Sequence, residues 1–322
     1  MAGKKIAVWG DFILDEYITG TTRRISREAP VLILSYNNSH FALGGAGNAL
    51  MNIRSLGGDP LPVGVLGEDE AARQILTMMH RENICTDYLY HLKGYQTPLK
   101  TRILAGEEST RKQQILRIDR ESLVPGSAEV QKALTSSLRK LSRHTGALLI
   151  SDYNYFSVTG DIFSDVNILY QNNKIPVTLD SRFRLLDFPG ITVATPNEPE
   201  VEDALNIRLG NDPEQVRQTG RTLLNKCRAE ALLMTQGSKG MLLFERRKAP
   251  VPIPIHGSTD IVDVTGAGDT VISTFTLGLT CGISFREAAH LANCAAGLVV
   301  MKRGTATVTS RELKKAVEQV RE

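Results

Sequence analysis

The sequence has no run approaching the ~20 apolar residues that a membrane-crossing helix requires. Its opening, Lys4-Lys5 followed by Ile6-Ala7-Val8-Trp9, is too short for the apolar stretch of a secretory leader. No membrane association and a cytoplasmic location are the expectations. The four cysteines, Cys85, Cys227, Cys281 and Cys294, make no CxxC pair and no zinc spacing. A disulfide scaffold and a zinc finger are therefore poor starting points, and free thiols in a reducing compartment fit better. Charge of one sign is not concentrated anywhere. A net charge of +3 comes from 38 basic and 35 acidic residues interspersed along the chain, which argues against a nucleic-acid surface. Two nucleotide signatures are missing as well. No GxxxxGKS/T string occurs, and Gly45-Ala46-Gly47 lacks the third glycine of a dinucleotide fingerprint, so a P-loop enzyme and a nicotinamide oxidoreductase are both disfavoured.

What is present is an ordinary globular composition, 42% hydrophobic and 23% charged over 322 residues, enough to bury a sizeable core without staples. Short apolar runs read as buried strands: 5–9, 62–66, 147–151, 176–179, 191–194 and 231–235. Between them, 47–56, 69–81, 128–141, 213–227 and 285–301 carry helical periodicity. Such alternation predicts an α/β fold with a mostly parallel sheet flanked by helices. Residues 16–35 and 97–118 break the rhythm with β-rich patterns and no intervening helix, which predicts a small appended sheet, read here as a lid over the active site. An extra edge hairpin is the plainer reading. No repeat or proline-rich linker marks a boundary, so 1–322 is taken as a single domain.

The most informative string is Asp263-Val264-Thr265-Gly266-Ala267-Gly268-Asp269-Thr270, followed by the apolar helical stretch 271–279. Small residues at Gly266, Ala267 and Gly268 let backbone amides at a helix N-terminus approach an anion. Asp269 then falls in the first helical turn, where a carboxylate can accept a proton from an attacking hydroxyl. Its position near the positive end of the helix dipole predicts an ionised carboxylate at neutral pH. A simple helix cap would use the same residues. Asn197 and Glu200 follow a strand-like run and suit a hydrated Mg²⁺ beside nucleotide phosphates, Glu200 acting through water, although the pair also makes a capping box. Thr235-Gln236-Gly237 lies at another strand end. Near the N-terminus, Asp11, Asp15 and the glycine-rich Gly44-Gly45-Ala46-Gly47-Asn48 provide groups suited to sugar hydroxyls. Lys100 and Arg102, two residues apart on one strand face, are candidates for holding a substrate phosphate, solvated charge being the alternative.

In order and spacing, Gly10-Asp11, Gly44-Gly45 with Asn48, the NxxE run 197–200 and 263–269 resemble the PfkB (ribokinase-like) carbohydrate kinases over nearly the whole chain. Within that family, 25–31, 44–52 and 263–270 are most similar to the D-glycero-β-D-manno-heptose-7-phosphate kinases. The resemblance implies a Rossmann-like domain with a β lid, often paired in a homodimer through the lids. It also implies ATP as co-substrate with Mg²⁺, and a sugar or sugar phosphate as acceptor. Residue by residue, it makes Asp269 the base and Gly266, Ala267 and Gly268 the anion hole. Asn197, Glu200, Thr235, Gly237 and Asn293 fall on the nucleotide side, and Asp11, Asp15, Gly44, Gly45 and Asn48 on the sugar side. Departures occur at Asn154-Tyr155, where the heptose kinases carry lysine-glycine after Ser-Asp-Tyr, and at Asp180-Ser181-Arg182, where they carry Asp-Pro-Lys. The chain ends at Glu322, too soon for the nucleotidyltransferase half of the bifunctional heptose enzyme. A kinase for another sugar or a nucleoside, and a non-catalytic sugar- or nucleotide-binding regulator, are the competing expectations.

Overall fold

The computed structural model describes residues 1–107, 112–210, 212–256 and 262–320. The first third of the chain runs through β1 (Lys5–Gly10), β2 (Phe12–Ile25), β3 (Leu32–Gly45), α1 (Ala46–Ser55), β4 (Asp59–Leu66), α2 (Glu70–Arg81) and β5 (Leu89–His91). It continues through β6 (Leu99–Gly106), β7 (Gln113–Arg120), α3 (Ala128–Leu141), β8 (Ala147–Asp152), α4 (Gly160–Asn172), β9 (Val177–Ser181), β10 (Val193–Ala194) and α5 (Glu198–Leu205). The last third holds α6 (Pro213–Lys226), β11 (Ala231–Thr235), β12 (Met241–Glu245), β13 (Val251–Ile253), α7 (Ala267–Thr280), α8 (Phe285–Val299) and α9 (Ser310–Val320).

Among the described residues the larger sheet has the order β13-β12-β11-β10-β9-β8-β1-β4-β5. Its strands are parallel from β5 to β11, with β12 and β13 added antiparallel at one edge. Two-sided burial explains why these strands read as continuous apolar runs. In β1, Ala7 and Trp9 face the core under α3, α4 and α6, while Ile6 and Val8 face the core under α1, α2 and α7. Strand β8 repeats the division with Leu148 and Ile150 against Ala147 and Leu149. A one-residue slip would exchange the two faces, so the pairing Ile6↔Ala147 is tightly specified.

The smaller sheet, β3-β2-β6-β7, is built from the two β-rich stretches and extends them to Gly45 and Arg120; residues 108–111 of the second stretch lie outside the described residues. Its cross-strand rows have distinct characters. Asp15↔Lys100↔Asp119 and Tyr17↔Arg102↔Arg117 form polar rows on one face. On the other face Ile18↔Ile103↔Leu116 forms an apolar row, with Ile118 beside Thr101. Leu116 and Ile118 are about half exposed.

Several boundaries differ from the sequence expectation. Helix α1 starts at Ala46, one residue before the expected 47–56, and the Ala46 amide bonds the Asp11 carbonyl at 3.0 Å. Of the run 191–194 only Val193 and Ala194 pair as a strand. Helices α4 and α9 and strands β5, β12 and β13 are additions, and α5 is the helix implied by the Asn197–Glu200 capping box. The exposed Asp161 and Asp165 between the buried Ile162, Phe163 and Val166 hide the apolar stripe of α4 in a short window.

Candidate active site

Parallel strands place their carboxyl ends along one edge, the usual ligand edge of an open α/β sheet. Asp152 closes β8, Asp180 and Ser181 close β9, and Thr235 closes β11, where it forms a bridge with Asn197. Helix α7 starts above this edge. Its N-cap, Gly266, has φ +77°, and a Cβ there would fall on the Asn48 amide. Among the described residues no side chain caps α7, which leaves the amides of its first turn available to a ligand.

Two cavities meet at this helix start. The smaller, about 190 Å³, lies between α7 and the polar face of the second sheet. Asp15, Gly44, Gly45, Lys100, Arg102 and Arg117 line it on the sheet side, and Tyr153, Arg182, Gly266 and Asp269 on the other. The larger, about 840 Å³, runs along the strand ends past Asp180, Asn197, Glu200, Thr235, Gly237 and Gly268. Tyr153, Arg182, Gly266 and Asp269 line both, so a group passing between the cavities passes the Asp269 carboxylate. A third space of about 210 Å³ adjoins Thr235, Gly237 and Gly268 and is walled by Met241, Ile255, Val271, Asn293 and Ala296. It is a mainly apolar slot, with Thr235, Ser238, His256 and Asn293 as its polar wall residues; the Asn293 amide donates a 2.6 Å bond to the Pro254 carbonyl.

Asp269 is buried and held by two donors. Asn48 Nδ2 donates to Oδ2 at 2.7 Å, and the Tyr153 hydroxyl donates to Oδ1 at 3.2 Å. Burial, and next the Asp180 carboxylate, push its pKa up to about 8. This runs against the expectation of a carboxylate ionised at neutral pH: removal from water outweighs both hydrogen bonds. Crowding extends to its neighbours. Burial and then Asp152 raise Asp180 to about 7, while burial and then Asp180 raise Glu200 to about 8. The Arg182 guanidinium opposes both increases.

The sequence candidates divide by position. Gly266, Gly268 and Asp269 come together at the cavity junction, with Ala267 on the slot side. Asn197 and Glu200 do form the capping box, at 2.9 Å in each direction, and both also line the larger cavity. Asp15, Gly44 and Gly45 line the smaller cavity. Gly44 is required there, since a Cβ would lie 2.5 Å from Asp15 Oδ2. Two sugar-side candidates line neither cavity. Asp11 is 1% exposed and faces the loop after β8, accepting bonds from backbone amides there. Asn48, equally buried, is spent on Asp269. Lys100 and Arg102 do face the smaller cavity, but neither is a free charge. Lys100 Nζ bonds Asp119, Glu121 and the Tyr155 hydroxyl at 3.2, 2.9 and 2.8 Å, and Arg102 pairs with Asp15 at 2.5 Å. Tyr153, Asp180 and Arg182 had been given no role. Each sits in a string noted for departing from, or matching, the heptose kinases, and only their convergence at the edge reveals them.

Among the described residues no group of three or more His, Cys, Asp or Glu is arranged to hold a metal. Mg²⁺ does not need one, since it keeps most of its waters and takes one or two carboxylates plus substrate phosphates. Asp180 and Glu200, the first of which raises the pKa of the second, lie on one cavity wall as a hard-oxygen pair that fits such an ion.

Comparison with known proteins agrees with this geometry. The profile of the pfkB family carbohydrate kinases matches residues 4–312. The chain is 36% identical over 311 residues to the bifunctional protein HldE of Pelobacter propionicus, covering 96% of this chain and 62% of that protein. It is 34% identical over 321 residues to HldE of Coxiella burnetii, covering 98% and 64%. The chain thus spans somewhat over three-fifths of the length of these relatives. Among solved structures, Arabidopsis thaliana ribokinase complexed with ribose and ATP superposes with a TM-score of 0.75 at 21% identity, covering 99% of both chains. Escherichia coli phosphofructokinase-2 in complex with fructose-6-phosphate gives 0.76 at 16%, covering all of both. At these identities the two structures establish a shared ribokinase-like fold.

Proposed function

This chain belongs to the pfkB family of carbohydrate kinases, and we propose that it transfers the γ-phosphoryl group of ATP to a hydroxyl of a heptose 7-phosphate or a closely related sugar phosphate. The observation that carries the phosphorylated acceptor is the cation content of the smaller cavity. Lys100, Arg102, Arg117 and Arg182 surround a space of about 190 Å³ whose acids are Asp15 and Asp269. Arginine forks suit a phosphate bidentately: Arg182 makes no salt bridge among those described, and a phosphate would join the pairs that Lys100, Arg102 and Arg117 already make with Asp15, Asp119 and Glu121. The resemblance to heptose kinases, and the similarity to HldE proteins, favour the heptose.

In this reading ATP lies along the larger cavity with its base in the apolar slot beside Asn293 and its phosphates near Thr235, Gly237 and the first-turn amides of α7. Asp180 and Glu200 are the residues that would hold a Mg²⁺, whose charge would shield the nucleotide phosphates. The acceptor hydroxyl donates its proton to Asp269 as its oxygen attacks the γ-phosphorus and the bond to the β,γ-bridging oxygen breaks, ADP leaving with that oxygen, and Arg182 faces the phosphoryl group in transit between the cavities. The test is ADP release across heptose 7-phosphate, hexose 6-phosphates and the corresponding free sugars. Phosphorylated acceptors should have kcat/KM higher by about 10²-fold, from one or two charge-assisted contacts. Equal activity on free sugars would overturn the acceptor assignment.

Assembly follows from the other face of the second sheet, which we read as the lid. The row Ile18, Ile103 and Leu116, with Ile118, is apolar and partly exposed. Burying it against a second copy is favourable, with twofold symmetry the commonest solution. Light scattering at micromolar concentration should report a dimer, and Leu116→Glu should shift it to monomer. A wild-type monomer would refute lid pairing.

A further inference from the structure

Asp11 leads into the second sheet from the end of β1, yet its carboxylate points back into the protein. Oδ2 accepts from the amides of Tyr153 and Tyr155 at 2.9 and 3.1 Å, and Oδ1 from the Ser157 amide at 3.0 Å. The intervening residues, Asn154 and Phe156, have φ of +66° and +69°. Alternation of this kind turns successive amides toward one point, a nest that binds an anion. For a bulky Phe the left-handed region is costly and persists only where the surroundings dictate it. Here the anion is the protein's own, and among the described residues no cation pairs with it. The loop side chains then point in useful directions: the Tyr153 hydroxyl reaches Asp269, and the Tyr155 hydroxyl reaches Lys100 on the second sheet.

We propose that Asp11 is a positioning residue for phosphoryl transfer: its buried carboxylate folds 153–157 around itself and thereby aims Tyr153 at the base and Tyr155 at the second sheet. The proposal rests on the assignment of Asp269 as the base. The Tyr153 bond favours the ionised carboxylate and so opposes the burial and Asp180 that raise Asp269. The other charged groups facing Asp269 are Asp15 from β2 and Arg182 after β9, and those facing Asp11 are Asp152 and Tyr95.

The experiment follows the Asp269 carboxyl directly by ¹³C titration, with Asp269→Asn assigning the signal, and therefore needs no turnover. Tyr153→Phe removes one oxygen and should raise the Asp269 midpoint by roughly one pH unit, the effect of one hydrogen bond to a charged group. At neutral pH its kcat should fall about tenfold with KM for ATP unchanged. Asp11→Asn can accept on one side only and opposes the Ser157 amide with its own NH₂. Exchange at the 153, 155 and 157 amides should accelerate at least about tenfold while the sheet stays protected, and Asp269 should move as in Tyr153→Phe. In the double variant the shifts should not add. Burial, and next Asp152, raise Asp11 to about 6, so wild-type protection of these amides should also drop as pH falls through that value. That measurement decides the matter if Asp11→Asn does not fold. An unmoved Asp269 in Tyr153→Phe, additive shifts, or protection at 153–157 indifferent to Asp11 in variant and wild type would overturn the proposal. Loss of turnover in Asp269→Asn alongside any of these would leave the base assignment standing.

Discussion

Asp269→Asn is expected to lower kcat and kcat/KM together by about 10²-fold or more, because proton acceptance helps mainly in the transition state. The fold should tolerate the change. An Asn oxygen can still accept from Asn48 Nδ2, and its amide can face the Tyr153 hydroxyl, so the partners at 2.7 and 3.2 Å are kept. Two pH signatures separate this role from a cap. The wild-type carboxyl titrates near 8, so kcat/KM should climb toward that pH, and the variant should lose the climb. Stability has the opposite sign. A carboxyl raised from 3.8 to about 8 on folding stabilises the native state fully below the lower value, and that contribution fades as pH rises through the higher. Denaturation at pH 6 and pH 9 should therefore show wild type losing stability relative to Asp269→Asn at the higher pH. Wild-type turnover in the variant under saturating substrates would remove Asp269 from the chemistry.

Arg182→Ala is expected to lower kcat by about 10²-fold, the range found for removing one preorganised group from developing charge. Arg182 is the basic side chain common to both cavities, and it lies near Asp180 and Glu200 without a salt bridge to either among those described. Its guanidinium lies over the Phe183 ring, 5.7 Å from the centroid. A guanidinium so placed is free to engage a phosphoryl group. Arg182→Lys should recover part of the rate, since it restores a point charge without the planar fork. Steady-state kinetics with ATP and a heptose 7-phosphate provide the measurement. A fall below about threefold would mean that the charge at this junction serves only to balance the acids beside it.

Sequence alone determined the layered architecture. A strand covered on both faces must be apolar throughout, and a helix over a sheet must keep one apolar stripe, so β1, β8, β11 and α3 were visible in short windows. It also determined the start of α7, because only glycine serves at φ +77° against the Asn48 amide. The second sheet was legible as a pattern, although its polar and apolar rows required the register Asp15↔Lys100 and Ile18↔Ile103. Tertiary structure decided what each charge does. Asp11 and Asp15, four residues apart at a strand end, look alike in sequence, yet one holds a loop and the other faces a cavity. Asp269 lies 221 positions from Asn48 and 116 from Tyr153, and its pKa is set by these groups, by Asp180 and by burial. A charge takes its role from solvent access and from neighbours brought close by folding. Neither is a local property of the chain, whereas strand and helix patterns are.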